Sequence, residues 1–145
     1  MNSFTDWTPA AVVFDCDGLL MDTESCWTVA ESAVFARRKL GFGPDEKALL
    51  IGKSVPDAGV VLAERFNEPG AAEDIVEELL GLVEEVIAER AMPLPGALEI
   101  VRALHGVLPM AVASNSPRRL VDLALARGGF SELLPLTVAL LEASS

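Results

Sequence analysis

Basic side chains are scarce in this chain of 145 residues: Lys and Arg total 11 against 22 Asp and Glu, a formal net charge of -11. A surface so acidic repels phosphate backbones and anionic headgroups, which argues against nucleic acid and membrane surfaces as partners. Long apolar runs are missing too; none approaches the ~20 residues that span a bilayer. Met1 to Pro9 contains no basic stretch followed by an apolar one, so no secretory signal is read there. Cysteine is confined to Cys16 and Cys26. Two thiols make no disulfide framework, and their spacing is not that of metal ligands, which suits a reducing, cytoplasmic setting. Cys16 closes an apolar strand, where a small buried thiol is the expectation. Internal repeats and low-complexity segments are absent.

What is present is apolar and patterned. Hydrophobic residues make up 51% and charged residues 23%, so the chain is neither disordered nor fibrous. The length suits one domain, or a compact domain with an insertion, and allows a real core. Ala10 to Phe14 is a short β-branched run ending at acids, as expected for a strand buried on both faces of a parallel sheet. Val107 to Ala113 reads as a second such strand, with Pro109 near its start. Helical patterns lie between them. Trp27, Ala30, Val34 and Leu40 mark one apolar face. Ser54-Val55-Pro56-Asp57 resembles a capping box opening a helix with Val60, Val61 and Phe66 inward, before the turn Asn67 to Gly70. Ala71 to Arg90 is the clearest helix, with Val76, Leu79, Leu80, Val83, Val86 and Ile87 in one stripe. Its many acids fall largely off that stripe, as on a solvated face. After the break Pro93-Leu94-Pro95-Gly96, Ala97 to His105 reads as a helix with Leu98, Val101 and Leu104 inward. Arg118 to Arg127 reads as another, stopped by Gly128-Gly129. His105 belongs to its helix end, where a cation is mildly favoured. The order predicts an α/β fold: a βα core with a helical insertion after its first strand.

Two strand ends carry candidate chemistry. The first strand delivers Asp15 and Asp17 to its C-terminal end, where ligands of open α/β sheets bind. Two carboxylates so close repel, and a hard divalent cation with oxygen ligands is a natural compensation. Such a pair can also divide labour, one attacking an electrophile while the other handles a proton. The plainer alternative is that Asp15, Asp17 and Asp22 are turn and capping residues. The second strand ends in Ser114-Asn115-Ser116-Pro117, ahead of a helix that begins with Arg118 and Arg119. Short hydroxyls at a helix start favour phosphate oxygens, and a simple N-cap is the alternative there.

At these residues the sequence resembles the haloacid dehalogenase superfamily of phosphohydrolases. Asp15-Cys16-Asp17-Gly18-Leu19-Leu20-Met21-Asp22-Thr23-Glu24 follows that family's first motif, Asp-x-Asp-Gly-x-Leu-x-Asp-Thr/Ser-Glu, and Val112-Ala113-Ser114-Asn115 its second. The helices between them are similar to the cap of the β-phosphoglucomutase-like and phosphoglycolate-phosphatase-like branch. The resemblance covers residues 10 to about 132. It implies a Rossmann-like core over residues 1–20 and 93–145 and a helical cap over 21–92. It implies Asp15 as the nucleophile that forms an aspartyl-phosphate, and Asp17 as the acid and base. Mg²⁺ is expected at Asp15 and Asp17, the latter through its backbone carbonyl. Ser114 and Asn115 are expected to bind the phosphoryl group of a small phosphorylated metabolite. Lys53 in the cap is expected near the substrate, with a solvated lysine as its alternative, and Glu24 and Thr23 near the mouth of the cap. The presence of Asp17 favours phosphoryl transfer over carbon–halogen hydrolysis.

The family pattern then stops. The lysines are Lys39, Lys47 and Lys53, and none follows Ser114, where the family places one. After Ser116 the acids are Asp122, Glu132 and Glu142, none paired at a strand end. With so few charged ligands Mg²⁺ binds weakly, and an arginine such as Arg118 or Arg119 replaces a lysine only in part. A third strand is expected around Leu136 to Leu141, against about five in the family's core. The expectation is a truncated, impaired phosphatase with an exposed core surface prone to self-association. The alternatives are a non-catalytic remnant acting as an interaction module and, well behind, a receiver-like signalling domain.

Overall fold

The computed structural model describes residues 7–139 and has three strands and six helices among them. They are β1 (Val12–Phe14), α1 (Glu24–Arg37), α2 (Pro44–Leu50), α3 (Val55–Arg65), α4 (Ala72–Arg90), α5 (Ala97–Leu104), β2 (Met110–Ser114), α6 (Arg118–Gly128) and β3 (Thr137–Ala139). The chain divides into two compact units. One comprises the residues up to Asp22 and from Met92 onward, and the other is Thr23–Ala91.

The first unit holds the sheet, in the order β1-β2-β3 with both pairings parallel. Val12 faces Met110 and Val112 faces Thr137 across the ladder. Parallel neighbours need crossover connections of one hand, and two successive crossovers in one direction place both helices on the same face. The burial agrees. Phe14, Val112, Ser114, Thr137 and Ala139 turn to one face and are buried, as are Val101 of α5 and Leu120, Val121, Ala124 and Leu125 of α6. On the other face Val13 is 66% and Val138 56% exposed, and Ala113 is exposed between them. The expected burial of the first strand on both faces is therefore wrong: among the described residues, only one face carries helices. The second strand starts at Met110 rather than Val107, because Val107 belongs to the turn after α5 and is 71% exposed. The expected third strand is present as β3; Leu140 and Leu141 lie outside the described residues.

Two segments of this unit lie side by side where the chain leaves and returns. The Asp22 amide donates to the Met92 carbonyl at 2.9 Å, and the Leu94 amide donates to the Leu20 carbonyl at 3.0 Å. An insertion whose two ends are hydrogen-bonded costs the parent sheet little, since its ends are already closed.

The second unit is helical throughout. α4 packs against both α1 and α3. The Phe35 ring meets Phe42 in a tilted contact and Phe66 in a T-shaped one, with ring centroids 5.2 and 4.9 Å apart. Arg38 covers the Phe66 ring at 4.3 Å and bonds Glu68 and Glu78, tying the end of α1 to α4 and to the turn before it. The stripe expected on α4 is present with one shift: Ile75 is buried, while Val76 and Val86 are half-buried. In α3 the inward residues are Ala58, Gly59, Leu62 and Ala63; Val60, expected inward, is 52% exposed. α2 was not expected from periodicity, since seven residues are too few to display one. It is opened by Pro44 and by the Gly43 amide donating to Glu46 Oε2 at 2.9 Å. Ser54 does cap α3: its Oγ accepts from the Asp57 amide at 3.3 Å and donates to Asp57 Oδ2 at 2.7 Å.

Candidate active site

β1 ends at Phe14, and the next residues fold into a tight turn. The Cys16 carbonyl accepts from the amides of Leu20 and Met21, both at 3.0 Å, and the Gly18 amide donates to the Met21 carbonyl at 2.9 Å. Gly18 sits at φ +76°, where a side chain is disfavoured, so the turn needs glycine there. Cys16 is fully buried beneath the turn, and its thiol is pushed up to about 12, by burial first and then by Asp17 and Asp15. It is a packing residue and no nucleophile at neutral pH.

The turn leaves its two carboxylates in different surroundings. Asp15 is exposed, and its Oδ1 accepts from the Cys16 amide at 2.7 Å, which fixes the side chain at the strand end. Asp17 is half-buried and reaches across to the end of β2. Its Oδ2 accepts from Ser114 Oγ at 3.1 Å and from Ser116 Oγ at 2.7 Å. The Ser116 amide in turn donates to Ser114 Oγ at 3.1 Å. Residues 97 and 99 positions apart are thus joined because parallel pairing brings the C-terminal ends of β1 and β2 together.

Of the residues picked out by sequence, Asp15, Asp17, Ser114 and Asn115 share this end of the sheet, with Asn115 exposed on the turn after β2. Glu24 opens α1 and Lys53 lies between α2 and α3, both in the helical unit. Ser116, named in the cluster at the second strand end but given no site role from sequence, belongs to the site as well. The signal for it was available, since a second hydroxyl stands two positions after the strand-end Ser114. The simple N-cap alternative does not hold: α6 has Pro117 at its N-cap and no side-chain cap bond. Arg118, considered as a stand-in for a lysine, donates to the Thr137 carbonyl at 2.5 Å and lies 3.5 Å from Asp122.

The donor set suits a small hard cation in kind. Asp15 offers an exposed carboxylate, and the Asp17 main-chain carbonyl belongs to the same turn. Mg²⁺ is commonly held by one or two carboxylates with water and substrate phosphate completing its octahedron. The Asp17 carboxylate is committed to two hydroxyls. Among the described residues no group of three or more His, Cys, Asp or Glu side chains gathers in ligand geometry. Among the described residues, Asp15 and the Asp17 carbonyl could thus hold Mg²⁺, loosely.

A family model described as haloacid dehalogenase-like hydrolase matches residues 9–137. (DL)-glycerol-3-phosphatase 1, mitochondrial, of Arabidopsis thaliana is 29% identical over 119 residues, which are 80% of this chain and 40% of the relative. A haloacid dehalogenase family hydrolase from Deinococcus radiodurans R1, solved with bound phosphate and sodium, is 29% identical with a TM-score of 0.62. That match covers 86% of this chain and 54% of the other. A family IA, variant 3 hydrolase from Entamoeba histolytica HM-1:IMSS shares the fold at a TM-score of 0.78 and 18% identity, over 93% of this chain and 63% of that one. The chain spans about half the length of the curated relatives it matches (40%, 49% and 50% of three of them). No helix among the described residues is long and apolar enough to cross a membrane.

Proposed function

We propose, for a chain that belongs to the haloacid dehalogenase-like hydrolase family, a Mg²⁺-assisted phosphohydrolase acting on small phosphorylated metabolites. The observation that carries this reading is the junction of the two strand ends. Asp15 stands exposed at the end of β1, while Asp17 is held by Ser114 at the end of β2. The glycerol phosphate in the name of one relative supports a small polyol or sugar monophosphate as substrate. In this reading the unit carrying the sheet is the catalytic core, and the helical unit is its cap.

Each residue then has a chemical task. An Asp15 carboxylate oxygen attacks phosphorus, and the bond from phosphorus to the leaving oxygen breaks. Asp17, holding a proton, gives it to that leaving oxygen, so an alcohol departs and an aspartyl-phosphate remains. Asp17, now a carboxylate, takes a proton from a water that attacks the same phosphorus, and inorganic phosphate leaves with Asp15 restored. Ser114 and Asn115 hold the non-reacting phosphoryl oxygens. Mg²⁺, when bound by Asp15 and the Asp17 carbonyl, supplies positive charge against the phosphoryl oxygens.

Hydrolysis of p-nitrophenyl phosphate with Mg²⁺ tests the reading. Turnover that vanishes in Asp15→Asn supports it, and turnover that survives Asp15→Asn refutes the nucleophile. The face that carries the exposed Val13 and Val138, uncovered among the described residues, favours a second property, association with another copy of the chain.

A further inference from the structure

Ser114 Oγ has one proton, and in this structure it is directed at Asp17 Oδ2, 3.1 Å away. The same oxygen already accepts from the Ser116 amide at 3.1 Å. Ser114 therefore cannot donate to a phosphoryl oxygen and to Asp17 at once. Ser116 Oγ donates to the same Asp17 oxygen at the shorter distance of 2.7 Å. Bonds from a hydroxyl to a carboxylate are charge-assisted and among the stronger ones in proteins.

We infer that Ser116 is a positioning residue that keeps hold of Asp17 while Ser114 turns its proton to the incoming phosphate. The inference rests on the phosphohydrolase reading and deepens it. Before phosphate arrives, both hydroxyls hold Asp17 Oδ2. As phosphate docks, the Ser114 hydroxyl rotates about its Cβ–Oγ bond and donates to a phosphoryl oxygen. The Ser116 amide keeps Ser114 Oγ in place during that rotation, since it binds the oxygen and not the proton. Asp17 keeps the Ser116 hydroxyl and with it its position beside the reacting group. Without Ser116, phosphate would have to take the Ser114 proton from Asp17 with neither hydroxyl left on Oδ2.

The test is binding of inorganic phosphate in the presence of Mg²⁺, followed by calorimetry on the full chain, in a double-mutant cycle. Ser116→Ala is expected to weaken phosphate by about tenfold or more, the usual effect of losing a hydrogen bond to a charged group. Ser116→Thr retains the hydroxyl and should restore wild-type binding. In a Ser114→Ala background there is no proton to hand over, so Ser116→Ala should add little. An equal loss in that background would mean that Ser116 contacts phosphate directly or acts only on the fold, and overturns the inference. Unchanged affinity of Ser116→Ala overturns it as well. Failure of the wild-type chain to bind phosphate refutes the phosphate site itself and the inference with it. That outcome is distinct from the other two, because it does not depend on Ser116.

Discussion

Replacing Gly59 with alanine should destabilise the helical unit, although alanine is the better helix former. Gly59 lies inside α3. A Cβ built there falls 2.8 Å from the Ala72 carbonyl oxygen, at the start of α4, and closer still to Val76 Cγ2. The carbonyl is backbone inside a helix and has no rotamer to change, and the β-branched Val76 has little freedom of its own. The helices must therefore separate by ~1 Å to restore van der Waals contact distance. Overpacking of this kind costs about 1–3 kcal/mol, while the gain in helix propensity is about 0.5–1 kcal/mol. The net loss is on the order of 1 kcal/mol or somewhat more. Gly81 supplies the control. It lies in the interior of α4, and a Cβ there meets no atom within 4 Å. Gly81→Ala should keep the propensity gain and stabilise by about 0.5–1 kcal/mol. The two variants should differ by about 6–10 °C in melting temperature, in opposite directions from wild type. Thermal unfolding followed by circular dichroism reads both. If Gly59→Ala melts at or above the temperature of Gly81→Ala, the close packing of α3 on α4 is refuted.

Two further outcomes follow from charge and exposure. Glu31 is 6% exposed and bonded to Lys47 Nζ at 2.7 Å, yet burial raises its pKa and the lysine draws it back only partly. A raised acid binds more protons folded than unfolded, so its contribution to stability falls as pH rises from about 4.5 through the folded value. Glu31→Gln removes that slope, and its melting temperature relative to wild type should climb as pH rises above about 4.5; a relative fall would show the lysine to outweigh burial. Wild-type protein should also associate as concentration rises, through the face where Val138 is 56% exposed. Val138→Lys should reduce that association in sedimentation velocity, and a wild-type chain that stays monomeric at all concentrations would sink the idea.

Local chemistry made much of this protein legible from its residues. The β-branched run before Asp15, the glycine after Asp17 and the Pro/Gly break at residues 93–96 each dictate a backbone state by their own sterics. The strand, turn and helix order followed, and so did the acidic turn with its two carboxylates. The stripe on α4 was readable because 19 residues display a period; α2, with seven, was not. What covers a face is another matter. Val13 and Phe14 look alike in an apolar run, but one is exposed and the other buried, because the crossovers of α5 and α6 fall on one side of the sheet. The close approach at Gly59 likewise depends on where α4 lies and cannot be seen along α3 alone. The same holds at the candidate site. That Asp17 meets Ser114 and Ser116, and that one Ser114 proton has two claimants, follows only from parallel pairing of β1 with β2, which sets strand ends 97 residues apart within hydrogen-bond reach.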